Sequence, residues 1–200
     1  MTQRPFHHGN LRAVLLDEAT TVLRESGVEG LSLRDLARRA GVSHGAPRSH
    51  FVDRQALLDA LAESGFVRLT ASVRDVSAGG GDLPRRFRDV ARAYVDFAIV
   101  DAALMELMFP VGTARRAGHV DEAAGALFAT LDGALGPAAD GAEQVESRDV
   151  FKMLFASTMQ GIAALVVSGR VARDQVDGLV DAAVDMMLGS ELRRRAITVD

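Results

Sequence analysis

Residues 31–51 read LSLRDLARRAGVSHGAPRSHF, and the fold turns on this stretch. Ser32 stands where a helix N-cap is wanted, with Asp35 three residues on to complete a capping box. Leu33, Leu36, Ala37 and Ala40 follow at helical spacing and form one apolar stripe. Gly41 comes after the last of them, where a left-handed residue lets a short turn reverse the chain. Val42 plugs that turn, Ser43 caps a second helix over residues 43–50, and Phe51 closes it. Ala37 is small, as two helices crossing steeply at a short turn require. The pattern predicts a helix-turn-helix whose second helix lies in the major groove of DNA and reads base edges. The plainer alternative is a helical hairpin that only packs. Against it stand Arg34, Arg38, Arg39, Arg48 and Arg54, opposed on the outer face by Asp35 and Asp53 alone. The second helix also has almost no aliphatic side chain to bury.

Outward from this motif every segment reads as helix. Asn10 caps a first helix to about Ser26, with Leu11, Leu15, Ala19, Val22 and Leu23 inward and Gly27 as its stop. Asp53 caps a long helix to Ala78, after which Gly79-Gly80-Gly81 breaks the chain. Pro84 opens a helix bearing Phe87, Val90, Ala91, Tyr94, Val95 and Ala98, and Asp101 caps a short one ended by Pro110. Residues 111–118 form a loop with Arg115 and Arg116, then a helix runs from Asp121 to about Leu135. The stretch from Gly136-Pro137 to Ser147 reads as a loop, followed by two strong helices over residues 148–168 and 174–192. No segment alternates with the period of two that a strand needs. The expected class is all-α with about nine helices, divided into a DNA-binding domain over residues 1–55 and a second helical domain over residues 56–200.

Composition narrows the function. The chain has 200 residues and no cysteine, which excludes disulfides and a thiolate nucleophile and suits a reducing, cytoplasmic setting. MTQRPFHHGN has no apolar stretch behind its arginine and does not read as a signal peptide, and the longest apolar run, around residues 162–167, is too short to span a bilayer. The net charge of −4 is uneven: residues 1–60 hold eight arginines and seven acids, residues 61–200 fifteen basic and twenty acidic groups. Local positive charge is enough for DNA, because phosphate contacts act within about 10 Å. His7, His8, His44, His50 and His119 have no metal-ligand spacing, and neither a nucleophile elbow nor a dinucleotide fingerprint is present. No enzyme, metal or cofactor is expected.

Over residues 10–66, beginning NLRAVLLDEATTVL, the chain resembles the TetR family of transcriptional repressors nearly position for position. The resemblance implies an all-helical homodimer with an N-terminal three-helix DNA-binding domain. Its C-terminal domain would dimerise and hold a small-molecule pocket, ligand binding there changing the separation of the two recognition helices. Ala46-Pro47, residues 101–110, Gly161 and Ser168-Gly169-Arg170 resemble a branch with a Trp-x-x-x-His-Gly signature, in which Ala156 takes the tryptophan position and Gln160 the histidine position. Arg48 stands where the family usually has an aromatic, commonly tyrosine. An arginine there reaches a phosphate, or guanine O6 and N7 together. Arg54 matches the family's phosphate-clamping basic residue.

The expected DNA face is therefore Arg34, Ser43, His44, Gly45, Arg48, Ser49, His50 and Arg54, with residues 2–4 as a weaker minor-groove arm. Tyr94, Phe97, Leu104, Met105, Met108, Phe109, Phe128, Phe155, Met159 and Gln160 are the candidate lining of a pocket for a mostly apolar ligand. Broad apolar faces on the last two helices, interspersed with Ala156, Ser157, Gly161, Gly178 and Ala182, suit a four-helix interface between two copies. The expected function is a ligand-responsive repressor bound as a dimer to a palindromic operator. The alternative is a helical small-molecule-binding protein with weak or no specific DNA binding.

Overall fold

Helix caps and glycine stops place most of the elements. The computed structural model describes residues 11–110, 117–136 and 142–197. Among them are nine α-helices, three short 3-10 helices and no strand. They are α1 (Leu11–Ser26), α2 (Leu33–Arg39), α3 (Arg54–Ala78), α4 (Leu83–Val100), α5 (Ala102–Met108), α6 (Gly118–Ala134), α7 (Ala142–Val167), α8 (Val176–Leu188) and α9 (Glu191–Ala196). The chain forms two compact units, Met1–Gly65 with Ala103–Val120, and Phe66–Ala102 with Asp121–Asp200. They interleave along the sequence, and the first passage between them falls inside α3 rather than at residue 55.

In the first unit α1 buries Leu15, Ala19, Val22 and Leu23, one stripe at helical spacing. Ser32 Oγ accepts the Asp35 backbone N–H at 3.2 Å and starts α2. At its far end Gly41 adopts φ +66. The Val42 N–H donates to Ala37 O at 2.9 Å and the Gly41 N–H to Arg38 O at 3.2 Å, the two bonds of a Schellman stop. Leu36, Ala37, Phe51, Leu57 and Leu61 complete the core. Farther along α3, Gly65 is the site of a close approach: a Cβ there would lie 2.6 Å from Met108 Sδ and 3.1 Å from Leu104 Cγ.

The second unit is built on α4, whose buried residues Phe87, Val90, Ala91, Tyr94, Val95 and Ala98 face α7 and α8. Asp82 caps α4 by accepting the Arg85 N–H at 3.0 Å. Arg88 and Arg92 then reach Asp181 and Asp177 on α8 at 3.7 and 3.6 Å, pinning its register. Phe87 meets the rings of Phe151 and Phe155 edge-on at 5.7 and 5.3 Å.

One buried charge ties the ends of α6, α7 and α9 together. Arg148 is 4% exposed, and its Nε lies 2.8 Å from Asp132 Oδ1 while Nη2 donates to the carbonyls of Asp132 and Gly136, both at 2.7 Å. Lys152 Nζ bridges Asp132 and Asp149 at 2.8 and 2.7 Å. The Arg148 hydrogen bond, aided by Lys152, holds the Asp132 carboxyl below its usual range against the opposing effect of burial. Burial alone would lower the Lys152 pKa, but its bonds to Asp132 and Asp149 outweigh that and raise it.

Four expectations are corrected. The second helix of the motif, expected over residues 43–50, is a 3-10 helix, Ala46–Ser49, with no side-chain cap from Ser43. Pro47 lacks an N–H and Gly45 is a poor helix former, so only a short, tight turn survives. The expected loop up to Ser147 is instead helical from Ala142, since α7 begins two turns earlier. The last expected helix is three pieces, Arg173–Gln175 (3-10), α8 and α9, because Gly189 ends α8 and Ser190 Oγ caps α9 by accepting the Arg193 N–H at 3.1 Å. Finally, by length and composition α7 is long and apolar enough to cross a membrane, an 18-residue stretch within Glu143–Val167 having mean hydropathy 1.7. Counting consecutive apolar residues missed this, because Lys152 and the polar residues of α7 interrupt the run while the average over the stretch stays high. Asn10, residues 2–4, His7, His8, Arg115 and Arg116 lie outside the described residues.

Arg148→Ala is expected to lower the unfolding free energy in urea by about 1–3 kcal/mol, since Asp132 keeps Lys152 but three carbonyls, one of them in a buried bond, lose a charged donor. The folded-state pKa of Asp132 is depressed, so its contribution to stability is present above the unfolded-chain value and is lost as pH falls through the folded one. Acid titration of the variant should accordingly show a shallower loss of stability than the parent.

Candidate nucleic-acid interface

Two buried side chains fix the reading segment. Pro47 and Phe51 are buried, whereas Ser43, His44, Gly45, Arg48, Ser49 and His50 are all exposed. The segment is held by backbone bonds from Ala46 N to Ser43 O at 3.0 Å, Arg48 N to Gly45 O at 3.1 Å and Phe51 N to Pro47 O at 2.9 Å. Arg12 lies over the Phe51 ring, 5.7 Å from its centroid. Immediately after, Asp53 Oδ1 accepts the Ala56 N–H at 2.8 Å and starts α3.

The arginines differ in what they hold. Arg38 pairs with Asp35 at 3.3 Å and Arg39 with Glu25 at 2.8 Å. Arg54 donates from Nη2 to Val28 O at 2.7 Å and from Nε to Leu31 O at 3.2 Å. It thereby satisfies carbonyls around the 3-10 helix Val28–Gly30, a structural task that the sequence did not disclose. Arg34 and Arg48 are exposed and make no ion pair or side-chain hydrogen bond among the described residues. Ser49 donates its hydroxyl proton to Ala46 O at 2.7 Å.

The ten expected pocket residues do not fall in one unit. Leu104, Met105, Met108 and Phe109 belong to the first, where Leu104 and Met108 close on Gly65. Tyr94, Phe97, Phe128, Phe155, Met159 and Gln160 belong to the second. There Tyr94 Oη donates to Gln160 Oε1 at 3.2 Å, and burial pushes the phenol pKa up to about 12. Phe97 lies under the Arg68 guanidinium, 5.2 Å from its ring centroid, while Arg68 pairs with the buried carboxylate of Asp101 at 2.7 Å. A cleft in this unit is lined by Phe87, Val90, Leu131, Leu135, Phe151 and Phe155, with Lys152 at its wall, and holds about 10 Å³ of free space. Of the ten residues only Phe155 borders it. Helical spacing marks a buried face but not which neighbour that face meets, so the stripe of α4 reads as ordinary core.

A helix-turn-helix with an exposed reading segment, joined to a separate all-helical unit, defines a class of DNA-binding regulators. Known proteins agree with this assignment. Residues 15–61 match the family model described as bacterial regulatory proteins, tetR family, and residues 87–188 match that of the tetracyclin repressor-like C-terminal domain. The chain is 32% identical over 96 residues to the HTH-type transcriptional regulator BetI of Burkholderia thailandensis, covering 48% of this chain and 49% of that protein. It is 45% identical over 53 residues to the class C tetracycline repressor protein of Escherichia coli, 26% of this chain and 24% of that one. The match thus spans about half the length of BetI and less of the tetracycline repressor. Among solved structures, a protein of unknown function from Rhodococcus sp. RHA1 superposes with TM-score 0.77 at 40% identity, over 92% of this chain and 97% of that one. FadR of Bacillus subtilis, solved with stearoyl-CoA, shares the fold at TM-score 0.68 and 14% identity, over 89% of this chain and 98% of that one. This chain belongs to the tetR family of bacterial regulatory proteins, a family of transcriptional regulators and not of enzymes.

Arg54→Ala is expected to destabilise the first unit by about 1–2 kcal/mol in urea unfolding, because two carbonyls lose a charged donor. Arg48→Ala, which removes no contact, should stay within about 0.5 kcal/mol of the parent.

Proposed function

We propose that this chain is a ligand-responsive repressor that binds a palindromic operator as a homodimer and is released by a small, mostly apolar ligand. The observation that carries the DNA reading is the buried footing of an open segment: Pro47 and Phe51 anchor a turn whose other side chains from 43 to 50, Ala46 apart, are exposed. A lone module of this kind makes few base contacts, and two half-sites one helical turn apart multiply them. Such a repressor acts where its DNA is, in the cytoplasm.

The second copy docks on α7 and α8. Leu154, Gly161 and Leu165 on α7 form an exposed seam with Leu179, Ala182 and Met186 on α8, Met186 being 70% exposed. An added Cβ at Gly161 would meet nothing within 4 Å in this chain, so the fold of one copy does not require a glycine there. Mid-helix glycine costs about 1 kcal/mol relative to alanine. Close approach of a second helix supplies a reason for it.

The ligand site of this proposal lies in the second unit, with the cleft at Phe155 as its seed and the Tyr94–Gln160 pair as its polar anchor. Room for little more than one water favours a second reading, a DNA-binding dimer whose second unit only dimerises. The two part on a thermal-shift series of neutral lipophilic compounds: stabilisation by any of them supports the ligand site, and a flat series supports the second reading.

Fluorescence anisotropy against duplex DNA from upstream of the chain's own gene, at two salt concentrations with random DNA as competitor, tests DNA binding itself. Specific binding that weakens steeply with salt is expected; no binding at low salt overturns the repressor reading. For the interface, Gly161→Leu and Leu154→Asp should each convert a dimer to monomers in light scattering while helical circular dichroism is kept. An unchanged mass for both variants would contradict this seam.

A further inference from the structure

The arginines of the first unit are not equivalent, and their differences assign separate tasks. We propose that Arg48 reads a guanine of the operator half-site from the edge that Gly45 leaves bare, while Arg34 anchors a neighbouring phosphate and Arg54 is held by the fold. This deepens the repressor reading above and rests on it.

A guanidinium already bonded within the protein is held where those bonds put it and brings fewer donors to DNA, whereas a free one brings all five. Arg38, Arg39 and Arg54 are bonded at 3.3, 2.8 and 2.7 Å respectively. Arg34 and Arg48 are exposed with no such bond among the described residues. The position of Arg48 separates it from Arg34: it stands in the reading segment between the buried Pro47 and the buried Phe51, so its backbone is held on both sides. Ser49 has used its donor on Ala46 O, and Gly45 has no side chain to offer.

Gly45 supplies an independent observation. Its φ of −85 and ψ of −20 lie where any residue is comfortable, and a Cβ there would find nothing within 4 Å. Neither conformation nor packing within this chain calls for glycine. Side chains three apart lie along one edge of a 3-10 turn, which puts position 45 on the edge that carries Arg48. A Cβ at 45 would stand between the Arg48 stem and a base pair, so glycine permits the groove to come close. A flat bidentate guanidinium then fits guanine O6 and N7, the pairing by which arginine most often specifies a base.

Affinity selection from a random duplex library tests the division, because the library itself reveals the preferred half-site. Wild type should select a half-site with one fixed guanine, and replacing it by 7-deazaguanine, which lacks N7, should weaken binding. Arg48→Ala should lose that guanine from its selected motif while keeping the other positions, and bind the wild-type site about 10- to 100-fold more weakly. Deazaguanine should make no further difference to this variant. Gly45→Ala should fold as well as the parent in urea yet bind the wild-type site less tightly. Arg34→Ala should weaken all sequences alike and lower the salt slope by about one without loss of stability in urea, whereas Arg54→Ala should lose stability. Selection of the same guanine by Arg48→Ala, or an unchanged slope in Arg34→Ala, would overturn the assignment. If wild type enriches no sequence and binds without salt dependence, the repressor reading itself fails, a result distinct from either.

Discussion

The reversal at Gly41 is the constraint on which the rest of the first unit depends. A residue at φ +66 lets the Val42 N–H reach back to Ala37 O, and the chain leaves α2 steeply and at a fixed point. Ala37, fully buried, leaves room for that crossing. Pro47 and Phe51 are then carried into the core, and residues 43–45 and 48–50 are left outside. An L-residue with a side chain at 41 would strain the turn and redirect the one segment whose chemistry faces outward.

Much of this was legible because it is local. Ser32 and Asp53 are helix caps by residue type and spacing, and each accepts the backbone N–H three residues on. Gly27 and Gly41 stop their helices with positive φ. The exposure of residues 43–45 and 48–50 also followed from the motif, since the segment offers so little to bury. What local pattern does not encode is which partner a side chain finds. Arg54 looks like any surface arginine until the carbonyls of Val28 and Leu31 are seen to converge on it. Arg148 likewise reads as a charge near a helix start, yet it is the buried centre of a cluster. The 3-10 form of Ala46–Ser49 was signalled by Gly45 and Pro47, but the helical period of the motif overrode that signal.

The second unit shows why an apolar helix is hard to interpret alone. α7 turns Phe151, Phe155 and Met159 to its own core and leaves Met153, Leu154 and Leu165 outside. Apolarity on two faces raises its mean hydropathy to that of a membrane span, although α4, α8 and α9 already pack on its inner face. Of the charges along its first half, Arg148 and Lys152 turn inward to meet Asp132. What remains for an outer partner is apolar side chains flanking small ones.

Hydrogen exchange of the full chain with and without duplex DNA, at an ionic strength low enough for phosphate contacts to hold any sequence, addresses the central proposal most directly. Amide protection gained around residues 43–56 and at α2, with α7 and α8 unchanged, is the expected result. Protection absent from residues 43–50, or gained only outside the first unit, would contradict the assignment of this segment as the DNA-reading surface.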